Sequence, residues 1–268
     1  MKAKVLRVLI PILFLIVGFI FSAGETPGDQ VPAGMVLVKG GTFQMGNSKV
    51  SNDEEPVHSI TLNSFNIGKF EVTQKEWQTV MGNNPSLFKN ENNPVENVNW
   101  YDVVEYCNKR SQKEGLTPCY SGSGDEITCN FEADGFRLPT EAEWEYACRG
   151  GAQSRGYTFS GSNNAGEVAW YEKNSMKPQP VGQKKPNEIG IYDMSGNIWE
   201  WCWDRYDFDY YNKSPEKNPR GPSTGKHRAI RGGSWGHTVN NVTSTIRIIF
   251  EPHQEFSFIG FRLVKNVK

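Results

Sequence analysis

The stretch RGGSWGHTVNNVTSTIR, residues 231–247, forces the first choice between architectures. Gly232, Ser234 and Gly236 have the Gly-x-Ser-x-Gly spacing of a serine-hydrolase elbow, in which a strand turns sharply into a helix and lifts the serine into reach. Such an elbow needs a helix directly after the serine. The next residues past Gly236 are HTVNNVTSTI, rich in Asn and β-branched residues that disfavour helix. No Asp lies beyond Ser234, and Glu251 or Glu255 with His253 would be the only triad partners left. A loop leading into a strand is therefore expected here, and the hydrolase reading is set aside.

Working outward, HRAIRGGSW, TSTIRIIF and IGFRLV carry strand patterns near the end of the chain. Near its start, MVLV and TFQMG around Lys39-Gly40-Gly41, then HSITL and FNIGKFEV around Asn63-Ser64, read as hairpin strands. Three capping boxes announce helices: Thr73 with Glu76, Asn99 with Asp102, and Thr140 with Glu143. The second helix is expected over roughly 100–113, before Gly115, and the third over roughly 141–148, before Gly150 and Gly151. Beyond residue 150, Gly, Asn, Pro and Ser punctuate aromatic pieces such as EVAWY and NIWEWCW, so aromatic packing is expected to replace regular structure there. The fold class is α+β, with few helices, short antiparallel strands, and strands from both chain ends meeting in one sheet.

A length of 268 residues with 37% hydrophobic content supports one substantial core and argues against disorder. The formal net charge of -1 draws the chain toward neither nucleic acid nor anionic lipid, so no nucleic-acid partner is expected. Lys2, Lys4 and Arg7 precede an apolar run from Val8 to Phe21 that ends in Ser22-Ala23-Gly24, the pattern of a cleavable secretory signal. Residues 1–24 are thus read as a signal peptide, 25–34 as a linker and 35–268 as the folded domain. The expected location is the periplasm, cell surface or exterior, with no membrane span after cleavage. No cysteine lies near the cut for lipid attachment.

Export permits disulfides. Cys119 and Cys129 flank YSGSGDEIT, whose centre is a turn signal, and a bridge across that hairpin is expected; Cys107, Cys148 and Cys202 read as small buried side chains. His58, His227, His237 and His253 show no zinc spacing, and no phosphate-cradling glycine loop is present. Glu141, Glu143 and Glu145 read as solvated carboxylates favoured by a helix dipole. YDMSGNIWEW, residues 192–201, is more specific. Its turn at Ser195-Gly196-Asn197 lies between Asp193 and Glu200, an arrangement of hard oxygens that suits calcium or simply a turn fixed by tryptophans.

Taken in order, MVLVKGGTFQMG, EVTQKEW, GFRLPTEAEWEYACRGG, GIYDMSGNIWEW, IRGGSW and IGFRLV resemble the signature blocks of the formylglycine-generating enzyme, or sulfatase-modifying factor, family over about residues 34–266. The resemblance implies a low-regularity, C-type-lectin-like α+β fold. Founding members oxidise a sulfatase cysteine using copper held by two cysteines after the GGSW block; those positions here are His237 and Val242. Copper(I) needs soft thiolates, so no copper and no founding oxidase activity are expected, although Ser234 remains nearby. The family's calcium pattern falls on Asp193, Gly196, Ile198 and Glu200, which makes a structural calcium the expected cofactor. Non-enzymatic relatives display a binding patch in this last block. By that likeness Trp235, His237, Asn240, Asn241, His253, Gln254 and Phe256, within or beside 236–258, are the expected surface for a protein or glycan ligand. An enzyme of altered metal chemistry is the rival reading.

Overall fold

The computed structural model describes residues 31–49 and 51–267. The expected signal peptide and most of the expected linker therefore lie outside the described residues. What remains of the linker is tied down: the Pro32 carbonyl accepts from Met35 and the Gly34 carbonyl from Lys69. No helix among the described residues is long and apolar enough to cross a membrane.

The first four strands are β1 (Met35–Val38), β2 (Gly41–Met45), β3 (His58–Leu62) and β4 (Phe65–Gly68). They nest: β2 pairs with β3 and β1 with β4, so Lys39-Gly40 crosses between ladders and does not close a hairpin. Gly40 passes against Leu62 and Ser64 so closely that a Cβ would meet backbone atoms of both.

All three expected capping boxes are formed. They open α1 (Gln74–Met81) at Thr73, α2 (Trp100–Lys113) at Asn99 and α3 (Glu141–Cys148) at Thr140. In each, an N-cap oxygen accepts an otherwise unpaired amide while the N3 carboxylate returns to the N-cap amide. A one-turn helix, α4 (Ala165–Val168), is capped by Asn164. The carboxylates of α3 are not solvated. Every residue of this helix is buried, and Glu141, Glu143 and Glu145 face Arg247, Arg137 and Arg231 respectively. Dipole attraction is the smaller effect; the helix is sunk between sheets, and its acids survive burial because each has a guanidinium.

The remaining strands are β5 (Tyr120–Ser121), β6 (Thr128–Cys129), β7 (Phe136–Arg137), β8 (Trp199–Arg205), β9 (Arg228–Arg231), β10 (Arg247–Phe250), β11 (Ile259–Gly260) and β12 (Val264–Asn266). One sheet runs β1-β4-β12-β7, so strands from both chain ends do meet; a second runs β10-β9-β8-β11, with β11 parallel to β8. The expectation that aromatic packing replaces regular structure around NIWEWCW is corrected by β8. WEWCWDR is a central strand buried on both faces along most of its length, and without one wet face it shows no alternation.

The expected 119–129 bridge is likewise absent: Cys119 and Cys129 are both free. The hairpin register sets Cys129 opposite Tyr120, and Cys119 instead accepts from the Asn130 amide through its carbonyl, so the two thiols are offset across the ladder. Cys107, Cys148 and Cys202 are fully buried, as expected.

Trp100, Trp144, Trp199 and Trp201 are fully buried. Three of them keep their indole N–H satisfied: Trp100 donates to the Cys202 carbonyl, Trp201 to the Val98 carbonyl, and Trp144 to Glu200. These bonds knit α2, α3 and β8 into the platform from which the loops after β9 and β10 project.

Candidate functional site

The loop after β9 folds back beneath itself. Gly233 has φ +78, and a Cβ there would strike the Asn241 carbonyl and the Val242 side chain. Ser234, fully buried, holds its hydroxyl 2.6 Å from His237 Nδ1, while the Gly236 amide donates to the same oxygen. The His237 ring meets Trp199 and Phe258 edge to face, with centroids 5.6 Å and 5.3 Å away. Burial holds its pKa below the ordinary imidazole value, with Glu172 pulling weakly the other way. The ring is therefore neutral at pH 7.

A hydrolase elbow is absent. A single 3-10 turn, Val239–Val242, comes after Ser234 where the α/β elbow needs a helix. Glu251 pairs with His253 at 3.3 Å and Glu255 accepts from Asn99, so neither carboxylate orients His237. Val242 is fully buried against Phe159, Ala165, Val168 and Ala169. One imidazole, already hydrogen-bonded through Nδ1, and one core methyl pair supply no sulfur. Copper(I) does not fit this donor set.

The expected binding residues divide into two groups. Trp235 and His237 stand together: the Trp235 indole donates to the Ser257 carbonyl at 3.4 Å and its ring meets Phe88 edge to face. Asn240 is exposed, and the Asn241 Oδ1 accepts from Thr238. His253 and Gln254 lie further off, on the turn 251–254, where Gln254 Oε1 accepts from the Glu251 amide and the Trp100 amide donates to Pro252. Phe256 bridges the groups, stacked on Phe258 with centroids 5.0 Å apart and packed against Phe250.

The turn read for calcium is sharp, with Asp193, Gly196 and Asn197 all at positive φ. Asp193 is buried; one oxygen accepts from the Gly182 amide and the other has no partner. Burial pushes its pKa up to about 6, with Gly182 and Arg262 opposing and Glu200 adding to the rise. Glu200, however, is held by Arg262 through both oxygens and by the Trp144 indole. The Ile198 amide donates to Glu71. Of the two expected side-chain ligands, Glu200 is thus already held by a guanidinium, and Asp193 has one carboxylate oxygen free. No group of three or more His, Cys, Asp or Glu side chains suited to a metal occurs among the described residues.

Glu71 and Arg262 complete this cluster with Asn197 of the turn, and neither was anticipated. Glu71 accepts from Asn197, and its pKa is raised well above normal by burial, then by Asp193 and Glu200. Their signal was present: Glu71 in FEV and Arg262 in GFRLV are lone charges in apolar runs, and such charges fold inward only with partners.

Residues 22–267 match the sulfatase-modifying factor enzyme 1-like domain. A protein of Paenibacillus barcinonensis named chaperone protein LppX is 43% identical, over 95% of this chain and 98% of its own. The formylglycine-generating enzyme of Streptomyces coelicolor is 29% identical, over 91% and 92% respectively. Among solved structures, Treponema denticola variable protein 1 superposes with a TM-score of 0.81 at 36% identity, covering 87% of this chain and 94% of that one.

Proposed function

Because the chain belongs to the sulfatase-modifying factor enzyme 1-like family, we propose a function that keeps the scaffold and gives up the oxidase chemistry: an exported module that binds a protein or glycan ligand through residues 236–258 and Trp235. The observation that carries this reading is Val242, a fully buried member of an apolar cluster where founding members place a copper-binding thiol. Around it, half-buried aromatics beside exposed polar groups make the kind of surface that supplies contact area and adaptable hydrogen bonds. Two of these relatives carry names that describe no oxidase, chaperone and variable protein. The basic, apolar N-terminus supports export.

The competing enzyme has one observation in its favour, the 2.6 Å contact between Ser234 and His237. The serine is fully buried and the histidine has no carboxylate on its ring, so the pair lacks both access and an orienting acid. Two measurements separate the readings. Incubating the protein with copper, oxygen and a sulfatase-type cysteine peptide should produce no aldehyde, and aldehyde formation would end the binding-module reading. For a ligand identified on a glycan or peptide array, replacing His237, Asn240 and Phe256 together with alanine should abolish capture without loss of fold. Unchanged capture removes this face.

A further inference from the structure

Four buried arginines of this protein each face a carboxylate: Arg137 with Glu143, Arg231 with Glu145, Arg247 with Glu141 and Arg262 with Glu200. Arg228, the first residue of β9, is 3% exposed and has no carboxylate partner among the described residues. Its Nη1 donates to the Trp203 carbonyl at 2.6 Å, and its guanidinium lies 3.7 Å from the Trp100 ring centroid. Arg205 is a cationic neighbour. The difference is visible in protonation: burial and Arg205 lower Arg228 to about 10, whereas in the four paired arginines the carboxylates outweigh burial.

Arg228 floors a groove of about 430 Å³. The tip of the β5–β6 hairpin forms one wall and Gly221–Ser223 the other, with Arg205 and Arg220 at the rim. Arg205 donates to the Gly225 and Asp125 carbonyls, and Arg220 stacks 4.0 Å from the Phe131 centroid. Neither has a carboxylate within ion-pair distance among the described residues; of the two carboxylates on the hairpin wall, Asp125 accepts from the Tyr101 hydroxyl and Glu126 is exposed. Three guanidinium groups thus converge on one solvent-open groove. A desolvated cation with no carboxylate in ion-pair contact, Asp204 acting on it only from further off, is costly, and stacking on Trp100 offsets only part of that cost. Planar guanidinium donors match an oxoanion in charge and in geometry.

We propose that this groove binds an oxoanion, with Arg228 at its floor and Arg205 and Arg220 at its rim. The anion is a phosphate, sulfate or carboxylate, either free or carried on a small sugar. The groove lies at the opposite end of β9 from the Ser234 loop, although Phe250, opposite Arg228 on β10, carries the 236–258 face up to its edge. The groove variants at Arg220 and Arg228 lie outside 236–258, so their anion readout is distinguishable from ligand capture by His237, Asn240 and Phe256.

The test titrates the protein with inorganic sulfate, inorganic phosphate and glucose 6-sulfate, against chloride at matched ionic strength, reading tryptophan fluorescence and Tm. A saturable response beyond chloride is expected, weakened about tenfold or more in Arg228→Gln and in Arg220→Ala, the loss of one charge-assisted contact. A stronger response to glucose 6-sulfate assigns the anion to a sugar; an equal one assigns it to the free ion. Arg220 is exposed, so its variant keeps the fold should Arg228→Gln not. Responses indistinguishable from chloride, or a wild-type response retained by Arg220→Ala, would overturn the proposal.

Discussion

Arg262 grips both oxygens of Glu200, Nε on one and Nη2 on the other at 2.6 Å each, and neither side chain is exposed. The pair ties β8 to the segment between β11 and β12. Glu200→Gln leaves a buried guanidinium uncompensated and should cost about 3–5 kcal/mol in chemical denaturation. Since the guanidinium already supplies the cation, a chelator should leave the melting temperature of the wild type unchanged. A fall of several degrees with EDTA, reversed by calcium, would return Glu200 to the role of metal ligand.

Acidification gives a second prediction. Asp193, raised by burial to about 6, lies beside Glu200, Arg262 and Glu71, and Glu71, Glu54 and Asp204 are raised by the same cause. A carboxyl whose folded pKa exceeds its unfolded value favours the folded state when protonated. That stability is complete below the unfolded value near 3.8 and is lost as pH rises through about 6. Lowering the pH from 7.5 to 5.5 should therefore raise stability, by about 0.8 kcal/mol from Asp193, out of about 3 kcal/mol over the whole window down to its unfolded value. Asp193→Asn should flatten the profile. A wild-type profile that falls over this interval would contradict the burial of these acids.

The thiols give a third. All five cysteines are free, and burial raises each of them, Cys148 to about 11 and Cys129 to about 12. At pH 8 little thiolate is available, so native alkylation should be far slower than in denaturant. All five should react once the chain is unfolded without reductant. If only three react (five less two), Cys119 and Cys129 are bridged after all, and the hairpin register must shift to oppose them.

Local rules account for what was legible in the sequence. A capping box is an exchange between residues three apart, so Thr73, Asn99 and Thr140 fixed their helices without tertiary help. The meeting of the chain ends followed from two strand patterns. The same rules misread α3 and β8, where burial is two-sided. Glu141 and Glu145 look solvated until Arg247 and Arg231, about a hundred positions away, are folded onto them, and WEWCWDR loses alternation because neither face is wet. At the candidate site, His237 and Val242 were legible through the family blocks. The arginines at 205, 220 and 228 were not, since no spacing records that a buried cation lacks a partner.

The Val242 site permits a gain-of-function test. Val242→Cys is close to volume-conserving and apolar enough for its cluster, and His237→Cys frees the Ser234 hydroxyl while placing a thiol across the loop. The double variant should fold with a stability loss of about 1–2 kcal/mol and should bind copper(I) where the wild type does not, because soft thiolates are the missing component. The readout is metal retention against a copper(I) chelator, with each single variant as control. If the wild type retained copper as well as the double variant, His237 would be a ligand in its own right, and the loss of oxidase chemistry could no longer be argued from these two positions.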